Sequence, residues 1–235
     1  MKVTSQAGFV LHSRPYKDSS AVTELFSDEY GRIGLVIRGA RRKNSRTRLA
    51  VTPLQELLLA WVGRGELYTL TDVEQKTLLP RITGKRLASA FYINELLMRL
   101  LHRNDPHRGL YTVYRTTLLL LSDGSQDLNH ILRLFEKRLL DELGYGLVLE
   151  STVDTNEPLV DNQRYTYHVE HGPVSIIDPD DTAPVVHGST LRALHEEELV
   201  DEQSLREARR LMRYVLQHYL GNYELKSRSL LDTAL

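Results

Sequence analysis

Residues 54–73 of this 235-residue chain read LQELLLAWVGRGELYTLTDV. Two runs, Leu54–Val62 and Glu66–Val73, lie on either side of Gly63-Arg64-Gly65, and the second run alternates between polar and apolar side chains. Alternation is typical of a half-buried strand, and two glycines around one residue are typical of a tight turn. The stretch therefore predicts two antiparallel strands joined by a hairpin.

Three further strand-like segments precede this hairpin. They are Val3–Leu11, Ala21–Phe26 and Ile33–Arg38, and turn residues such as Ser13-Arg14-Pro15 lie in the breaks. Five short strands ahead of Pro80 suggest a small barrel or a sandwich. A five-stranded OB-fold barrel has this size and strand count.

Beyond the predicted barrel, the apolar residues change from the period of a strand to that of a helix. Between Ile131 and Leu143, for example, they recur every four residues. Gly144 stands where a helix-ending glycine belongs, and Ser204 with Glu207 matches a capping box. The predicted helices are Lys85–Leu101, Tyr111–Leu121, Asp127–Leu143, Thr190–His195 and Ser204–Leu220.

Residues 151–187 interrupt the helices and are rich in Asp, Asn, Pro and Gly, with short strand-like pieces at Tyr165–Val169 and Val174–Ile177. We therefore predict an α+β protein, in which an N-terminal five-stranded OB-fold barrel precedes an α-helical domain with a small irregular β insert lacking zinc. The predicted divisions are an OB-fold nucleic-acid-binding domain at 1–80, a helical bundle at 81–150, a zinc-free loop or hairpin insert at 151–187, and C-terminal helices packing on the bundle at 188–235.

Charge is unevenly distributed along the chain, although the formal net charge is only −1. Residues 1–90 hold 15 Lys and Arg against 8 Asp and Glu, a net +7, and the remaining 145 residues hold 15 against 23, a net −8. Arg38–Arg48 has six basic residues among eleven and no acidic residue. Such a region points to a polyanion, of which nucleic acid is the commonest. A solvated surface of uneven charge is the alternative interpretation.

The predicted nucleic-acid site combines cations with aromatic rings, because single strands bind in cationic grooves where aromatic side chains stack on bases. The basic residues fall in turns or at strand ends of the N-terminal region, and two tyrosines lie in polar turns beside them. Trp61, in an apolar strand, is better placed in the core. The predicted set is Arg14, Arg32, Arg38, Arg41, Arg42, Lys43, Arg46, Arg48, Tyr16 and Tyr30.

Motifs for other chemistry are missing from the sequence. There is no Gly-Lys-Ser/Thr nucleotide loop, no Gly-x-Gly-x-x-Gly and no Gly-x-Ser-x-Gly, so we predict neither an enzyme nor a cofactor. No cysteine is present, which excludes thiolate zinc sites, and the scattered histidines predict no metal site. The N-terminus has no apolar signal core and no apolar run could cross a bilayer, so we expect a cytoplasmic protein without membrane contact.

A second candidate site lies on the third predicted helix. Arg133 and Lys137 are four residues apart and share one face, and Leu134 and Leu143 are close by. Cations beside an apolar surface suit an acidic peptide with an apolar end. The pattern also fits an ordinary solvated helix face, and the residues alone leave both interpretations open.

Seven segments occur in a distinctive order along nearly the whole chain. They are Gly8–Tyr16, Ile37–Arg41, Tyr92–Leu97, Arg133–Glu136, Leu143–Gly146, Tyr219–Gly221 and Leu225–Arg228. In these segments the chain resembles RecO, a bacterial family of recombination-mediator and DNA-repair proteins. The resemblance implies an OB-fold, a helical bundle and a third small element, which many members build around a four-cysteine zinc. Because this chain has no cysteine, it is similar to the zinc-free branch.

The resemblance also implies a function. It implies binding of single- and double-stranded DNA, annealing of complementary strands without ATP, and, with the partner RecR, loading of the RecA recombinase onto DNA coated with single-strand-binding protein (SSB). Such a protein would be associated with the nucleoid. The resemblance further implies that the helical domain binds the acidic, Phe-ended tail of SSB, with Arg133 and Leu143 as matching positions and Lys137 on the same face. Leu134 stands where the family has a second basic residue.

Two other functions are compatible with the residues. One is a protein adaptor, whose OB-fold barrel binds repair proteins with little direct DNA contact. The other is a nuclease, which would need clustered carboxylates at a basic groove. The N-terminal acids show no such motif, so this third interpretation has the least support; they are Asp18, Glu24, Asp28 and Glu29.

Overall fold

A computed structural model describes residues 1–40, 46–77, 80–175 and 182–228, with Arg46 described by its backbone alone. The chain forms two compact units. The first unit contains Met1–Asp123 together with the C-terminal segment from Leu225 onward, and the second contains Gly124–Glu224. Compactness therefore divides the chain at residue 124, whereas the sequence analysis placed its first boundary near residue 80.

The first unit is built around a closed five-stranded barrel, as the sequence predicted. The strands are β1 (Lys2–Tyr16), β2 (Ser20–Ser27), β3 (Gly31–Ile37), β4 (Glu56–Val62) and β5 (Leu67–Thr77), with a short 3₁₀ helix at Arg46–Val51 between β3 and β4. The strand order is β1-β2-β3-β5-β4, and β4 pairs back onto β1. All pairings are antiparallel except that between β3 and β5, which is parallel.

Both faces of β2 are covered over nearly its whole length, and both faces of β1 are covered from Gly8 to Leu11. Val10 and Leu25 are paired across the two strands and point into the barrel core, where Trp61 is also fully buried. The neighbouring pair, Phe9 and Phe26, is equally buried but lies outside that core cluster. The prediction that Trp61 belongs to the core is confirmed.

Two helices complete the first unit, α1 (Gly84–Leu100) and α2 (Arg108–Asp123). The rings of Phe9 and Phe26 lie 5.1–6.0 Å from those of Tyr111 and Tyr114 on α2. Asn94 on α1 donates to the carbonyl oxygen of residue 11 at 2.8 Å and accepts from the Tyr114 hydroxyl at 2.6 Å. These contacts hold both helices on the barrel, which is why they belong to its compact unit.

The C-terminal segment returns to the first unit after the second unit has been completed. The backbone N–H groups of Lys226 and Ser227 donate to the Glu95 carboxylate on α1, at 3.0 and 2.8 Å. Leu225 beside them is buried. A carboxylate that accepts successive backbone N–H groups in this way fixes the start of a helical turn.

The second unit combines three helices with a three-stranded antiparallel sheet. The elements are α3 (Leu128–Glu142), β6 (Arg164–His168), β7 (Gly172–Val174), β8 (Val185–His187), α4 (Gly188–His195) and α5 (Glu202–Leu220). The strand order of the sheet is β7-β6-β8. Strand β8 was not predicted, and part of the predicted Val174–Ile177 strand lies outside the described residues. Gly144 follows α3 with a φ of +81°, as its helix-ending role requires.

The predicted capping box at α5 is wrong. The helix begins earlier, with Asp201 as its N-cap, and the Asp201 carboxylate accepts from the backbone N–H of Ser204 at 2.8 Å. Glu207 instead accepts from the backbone N–H of His187 at 2.9 Å and from the Thr190 hydroxyl at 2.8 Å. It thereby ties α5 to the β8–α4 junction.

The small sheet is stabilised by packing and hydrogen bonds. The chain has no cysteine, so a thiolate zinc site cannot be built here. The buried ring of Tyr165 brings its hydroxyl oxygen to the backbone N–H of Val160, which donates to it at 2.9 Å. Gly188 lies so close to this loop that a Cβ on it would stand 2.2 Å from the Val160 carbonyl oxygen. Close backbone contact and this hydrogen bond therefore hold the loop against the sheet.

Candidate nucleic-acid interface

One end of the barrel carries a groove at the loop between β1 and β2. Tyr16 ends β1 opposite Ser20, and β2 in turn pairs with the last residues of β3. Thr69 of β5 lies opposite Val36 of β3, and both residues line the groove. This pairing produces a depression of about 560 Å³, here called the barrel groove. It is lined by Tyr16, Lys17, Ser19, Ser20, Val36, Arg38, Gly39 and Thr69.

The barrel groove is cationic. Lys17 and Arg38 are exposed, and the described lining residues include no carboxylate. The Lys17 ammonium lies 5.3 Å from the centroid of the Tyr16 ring, a cation–π distance, and Tyr16 as a residue is 40% exposed. The groove therefore offers two cations and one aromatic face to an anionic ligand.

Lys17 was missed by the sequence analysis. It stands next to Asp18, so the local charge cancels in the sequence, and nothing in the sequence places it beside Arg38. The β1–β2 turn gives Lys17 a φ of +51° and brings it to the groove wall. Its signal was a basic residue in the first loop of a predicted OB-fold, where such barrels bind oligonucleotides.

The other predicted cations are distributed around the barrel. Arg14 is exposed on β1, two residues before Tyr16 of the groove. Arg48 is also exposed, but it lines a different depression that contains the carboxylates of Asp72 and Glu74. The side chain of Arg46 and the whole of Arg41, Arg42 and Lys43 lie outside the described residues.

Two residues of the predicted site instead make contacts inside the first unit. The Arg32 guanidinium donates to the carbonyl oxygen of Met98 and lies 3.8 Å from the Glu24 carboxylate. Its side chain is 17% exposed, and burial lowers the pKa of Arg32 from its ordinary value. Tyr30 packs edge-on against Trp61, with 5.3 Å between the ring centroids. We therefore leave Arg32 and Tyr30 out of the proposed interface.

The candidate peptide site on α3 is occupied by internal ion pairs. The Arg133 side chain is 7% exposed and donates to Glu136 at 2.7 Å. The Lys137 ammonium donates to the Glu197 carboxylate at 3.1 Å. Leu143, at the end of α3, is half-buried. An acidic peptide would therefore have to compete with carboxylates of the protein itself.

Neither a metal-binding group nor a membrane-spanning helix occurs in the described part of the chain. No group of three or more His, Asp or Glu side chains there could hold a metal ion. None of the described helices combines the length and the apolar character that a membrane span requires.

Comparisons with known proteins agree with this architecture. A closed five-stranded barrel with this strand order defines an OB-fold-containing protein, here followed by a largely helical region. Residues 1–78 match the family described as Recombination protein O N terminal, and residues 81–229 match Recombination protein O C terminal. The chain belongs to the RecO family of DNA repair proteins.

Curated relatives are similar over nearly their whole length. The DNA repair protein RecO of Nitrosococcus oceani is 46% identical over 232 residues, which cover 99% of this chain and 94% of the relative. The protein of the same name from Dechloromonas aromatica is 42% identical, with 97% and 95% covered. That of Coxiella burnetii is 40% identical, with 98% of both covered.

Proposed function

We propose that this protein binds DNA through the barrel groove and through the basic stretch Arg41–Lys43, which follows the groove residue Gly39 closely in the sequence. The observation that carries the proposal is the position of the groove at the β1–β2 loop, a place where OB-folds bind oligonucleotides, together with its cations and its lack of described carboxylates. Contacts from Lys17 and Arg38 would reach phosphates, which position a strand without reading its sequence. Tyr16 would stack on a base.

We further propose that the protein anneals complementary single strands without ATP. Two strands repel each other as polyanions, and a protein that neutralises phosphates lowers this repulsion. Such a role needs neither catalysis nor a cofactor. Membership of a family of DNA repair proteins supports this role in recombinational repair. In that pathway the protein would act with RecR to load RecA onto DNA coated with SSB, at the nucleoid.

The groove predicts a specific change in the salt dependence of DNA binding. Each phosphate contact contributes about −0.7 to the slope of log K against log salt for a single strand. Lys17→Ala combined with Arg38→Ala should therefore make the slope shallower by about 1.4, and Ala at Arg41, Arg42 and Lys43 by about 2. The measurement is titration of a labelled single strand at several salt concentrations.

A matched control removes the same charge elsewhere on the first unit. Arg81 lies three residues before α1 and Lys85 lies in its first turn; both are exposed and do not line the groove. The double variant Arg81→Ala and Lys85→Ala should keep the slope of the unmodified protein. If it and the Lys17/Arg38 variant change the slope equally, DNA does not bind in the groove.

Binding of an acidic peptide on α3 is the second candidate, because cations there already hold a carboxylate of the protein itself. Lys137 and Arg138 both form ion pairs with Glu197, so one carboxylate of the protein is already paired with two neighbouring cations. We propose that an acidic, Phe-ended peptide such as the SSB tail displaces Glu197 and places its apolar end near Leu143. Arg133 would contribute only after releasing Glu136.

This proposal predicts a gain of affinity from a single substitution. Glu197→Gln removes the internal competitor, so a labelled acidic, Phe-ended peptide should bind about five- to tenfold more tightly, equivalent to roughly 1 kcal/mol. Glu196→Gln, a neighbouring and more exposed carboxylate, is the control and should change the affinity less. Fluorescence anisotropy would measure both. Equal affinities for the two variants would contradict docking at this place.

A further inference from the structure

Helix α5 carries a row of arginines in the acidic part of the chain. Residues 91–235 have a net charge of −8, yet four arginines occur within eight residues of α5. Their spacing of three, four and seven residues places them on one side of a helix. This arginine face consists of Arg206, Arg209, Arg210 and Arg213. Arg209 is half-buried, and the other three arginines are exposed.

Helix α5 itself supplies little acidic charge to cancel the arginine face. Between residues 203 and 223 the sequence contains one acid, Glu207. Its side chain is 13% exposed and is bound to His187 and Thr190, away from solvent. Glu202 pairs with Arg206 at the first turn, but both side chains are largely exposed, and such surface pairs are weak.

The apolar side chains of α5 lie on its opposite side. Leu211, Met212, Val215 and Leu216 are all buried in the second unit. The arginine face therefore lacks the apolar centre that a protein partner usually requires. Interfaces with nucleic acid are more polar and more positively charged, which matches this face better.

We propose that the arginine face binds the phosphate backbone of a second DNA strand. The inference rests on the proposed function, in which the barrel groove holds one strand. Arginine grips phosphate with two parallel hydrogen bonds, and the face extends about 10 Å along the helix axis. Annealing needs two strands on one protein, so a cationic surface on each unit supplies two places for them. The guanidinium of Arg210 already donates to the carbonyl of Val185, which holds it at the edge of the face.

The test separates binding of one strand from annealing of two. The variant Arg206→Gln with Arg213→Gln removes two exposed charges, and the ion pair that it breaks among the described residues is the surface pair of Arg206 with Glu202. Its single-strand affinity should stay within about threefold of the unmodified protein, while its annealing rate at moderate salt should fall about tenfold. The matched control is Arg164→Gln with Arg192→Gln, two exposed arginines elsewhere on the second unit. Circular dichroism melting would show that both variants fold.

Each outcome has a distinct meaning. If the unmodified protein binds no DNA at low salt, the proposed function fails and this inference fails with it. If the unmodified protein anneals strands and the arginine-face variant does so at the same rate, only this inference is overturned. Equal losses of binding and annealing would also overturn it, because they would indicate a single site. A loss of annealing in the arginine-face variant alone supports a second strand on α5.

Discussion

Replacement of Glu56 by alanine is expected to destabilise the first unit by about 3 kcal/mol. Glu56 is fully buried, and its carboxylate lies 3.0 Å from the Lys76 ammonium and 3.2 Å from Nε of Arg115. It also accepts from the buried Tyr111 hydroxyl at 3.3 Å. The expected loss is at the low end for a broken buried pair, because Lys76 and Arg115 are both 40% exposed and can turn to water.

The same carboxylate makes stability depend on pH. Burial alone would raise the pKa of Glu56, but hydrogen bonds from Lys76, Thr77 and Arg115 outweigh it and hold the pKa below its ordinary value. A carboxyl with a lower pKa in the folded chain stabilises the fold above its unfolded pKa, and this contribution is lost as the pH falls through the folded pKa. The free energy of unfolding should therefore fall on acidification, and it should fall less in Glu56→Gln.

Denaturant unfolding followed by tryptophan fluorescence would measure both effects. Trp61 is the single tryptophan of the chain and is buried in the barrel, so its emission reports on the first unit. Glu74→Ala, which removes an exposed carboxylate from β5, is the control and should change stability by less than about 0.5 kcal/mol. If Glu56→Ala unfolds at the same denaturant concentration as the control, the buried network contributes little.

Gly31→Ala is expected to cost about 4 kcal/mol, the larger of the two effects. Gly31 has a φ of +64°, and a Cβ on it would stand 1.8 Å from the carbonyl oxygen of Asp105. The loop cannot easily withdraw, because the backbone N–H of Asn104 donates to the carbonyl of Arg32 at 2.9 Å. Moving the loop would also strain the ion pair between Arg103 and Glu24.

A second glycine distinguishes the cost of backbone strain from the cost of a steric clash. Gly65, in the β4–β5 hairpin, also has a positive φ of +80°, but nothing lies within 4 Å of the position that a Cβ would take. Gly65→Ala should therefore cost only the backbone strain, about 1–2 kcal/mol. Denaturant unfolding of both variants would measure the difference. Similar losses at the two positions would mean that the loop at Asp105 yields without cost.

Local patterns were sufficient to predict most of the elements. The hairpin around Gly63-Arg64-Gly65 and helix α3 both follow from periodicity and turn residues that lie within one segment. Strand β8 is only three residues long, too short to show a period. The capping box failed because Glu207 found partners on a different element, at His187 and Thr190.

The candidate sites were harder to predict, because exposure and pairing depend on residues far apart in the chain. Arg32 looked like a free cation in a turn, but Met98 and Glu24 bind it inside the first unit. Arg133 likewise shares a face with Lys137 in the sequence, while the packing of α3 buries it against Glu136. Arg38 remained at the surface, because it follows the last residue of β3 at the open end of the barrel.

The bond between Glu95 and the C-terminal segment gives the chain an unusual connectivity. The first unit contains residues from both sides of Gly124–Glu224, so the second unit is an insertion in the first and has two covalent connections to it. Truncation after Asp123 would remove Leu225, Lys226 and Ser227 and leave the first unit incomplete. Separating the two units for study therefore calls for excision with a bridging linker or for circular permutation.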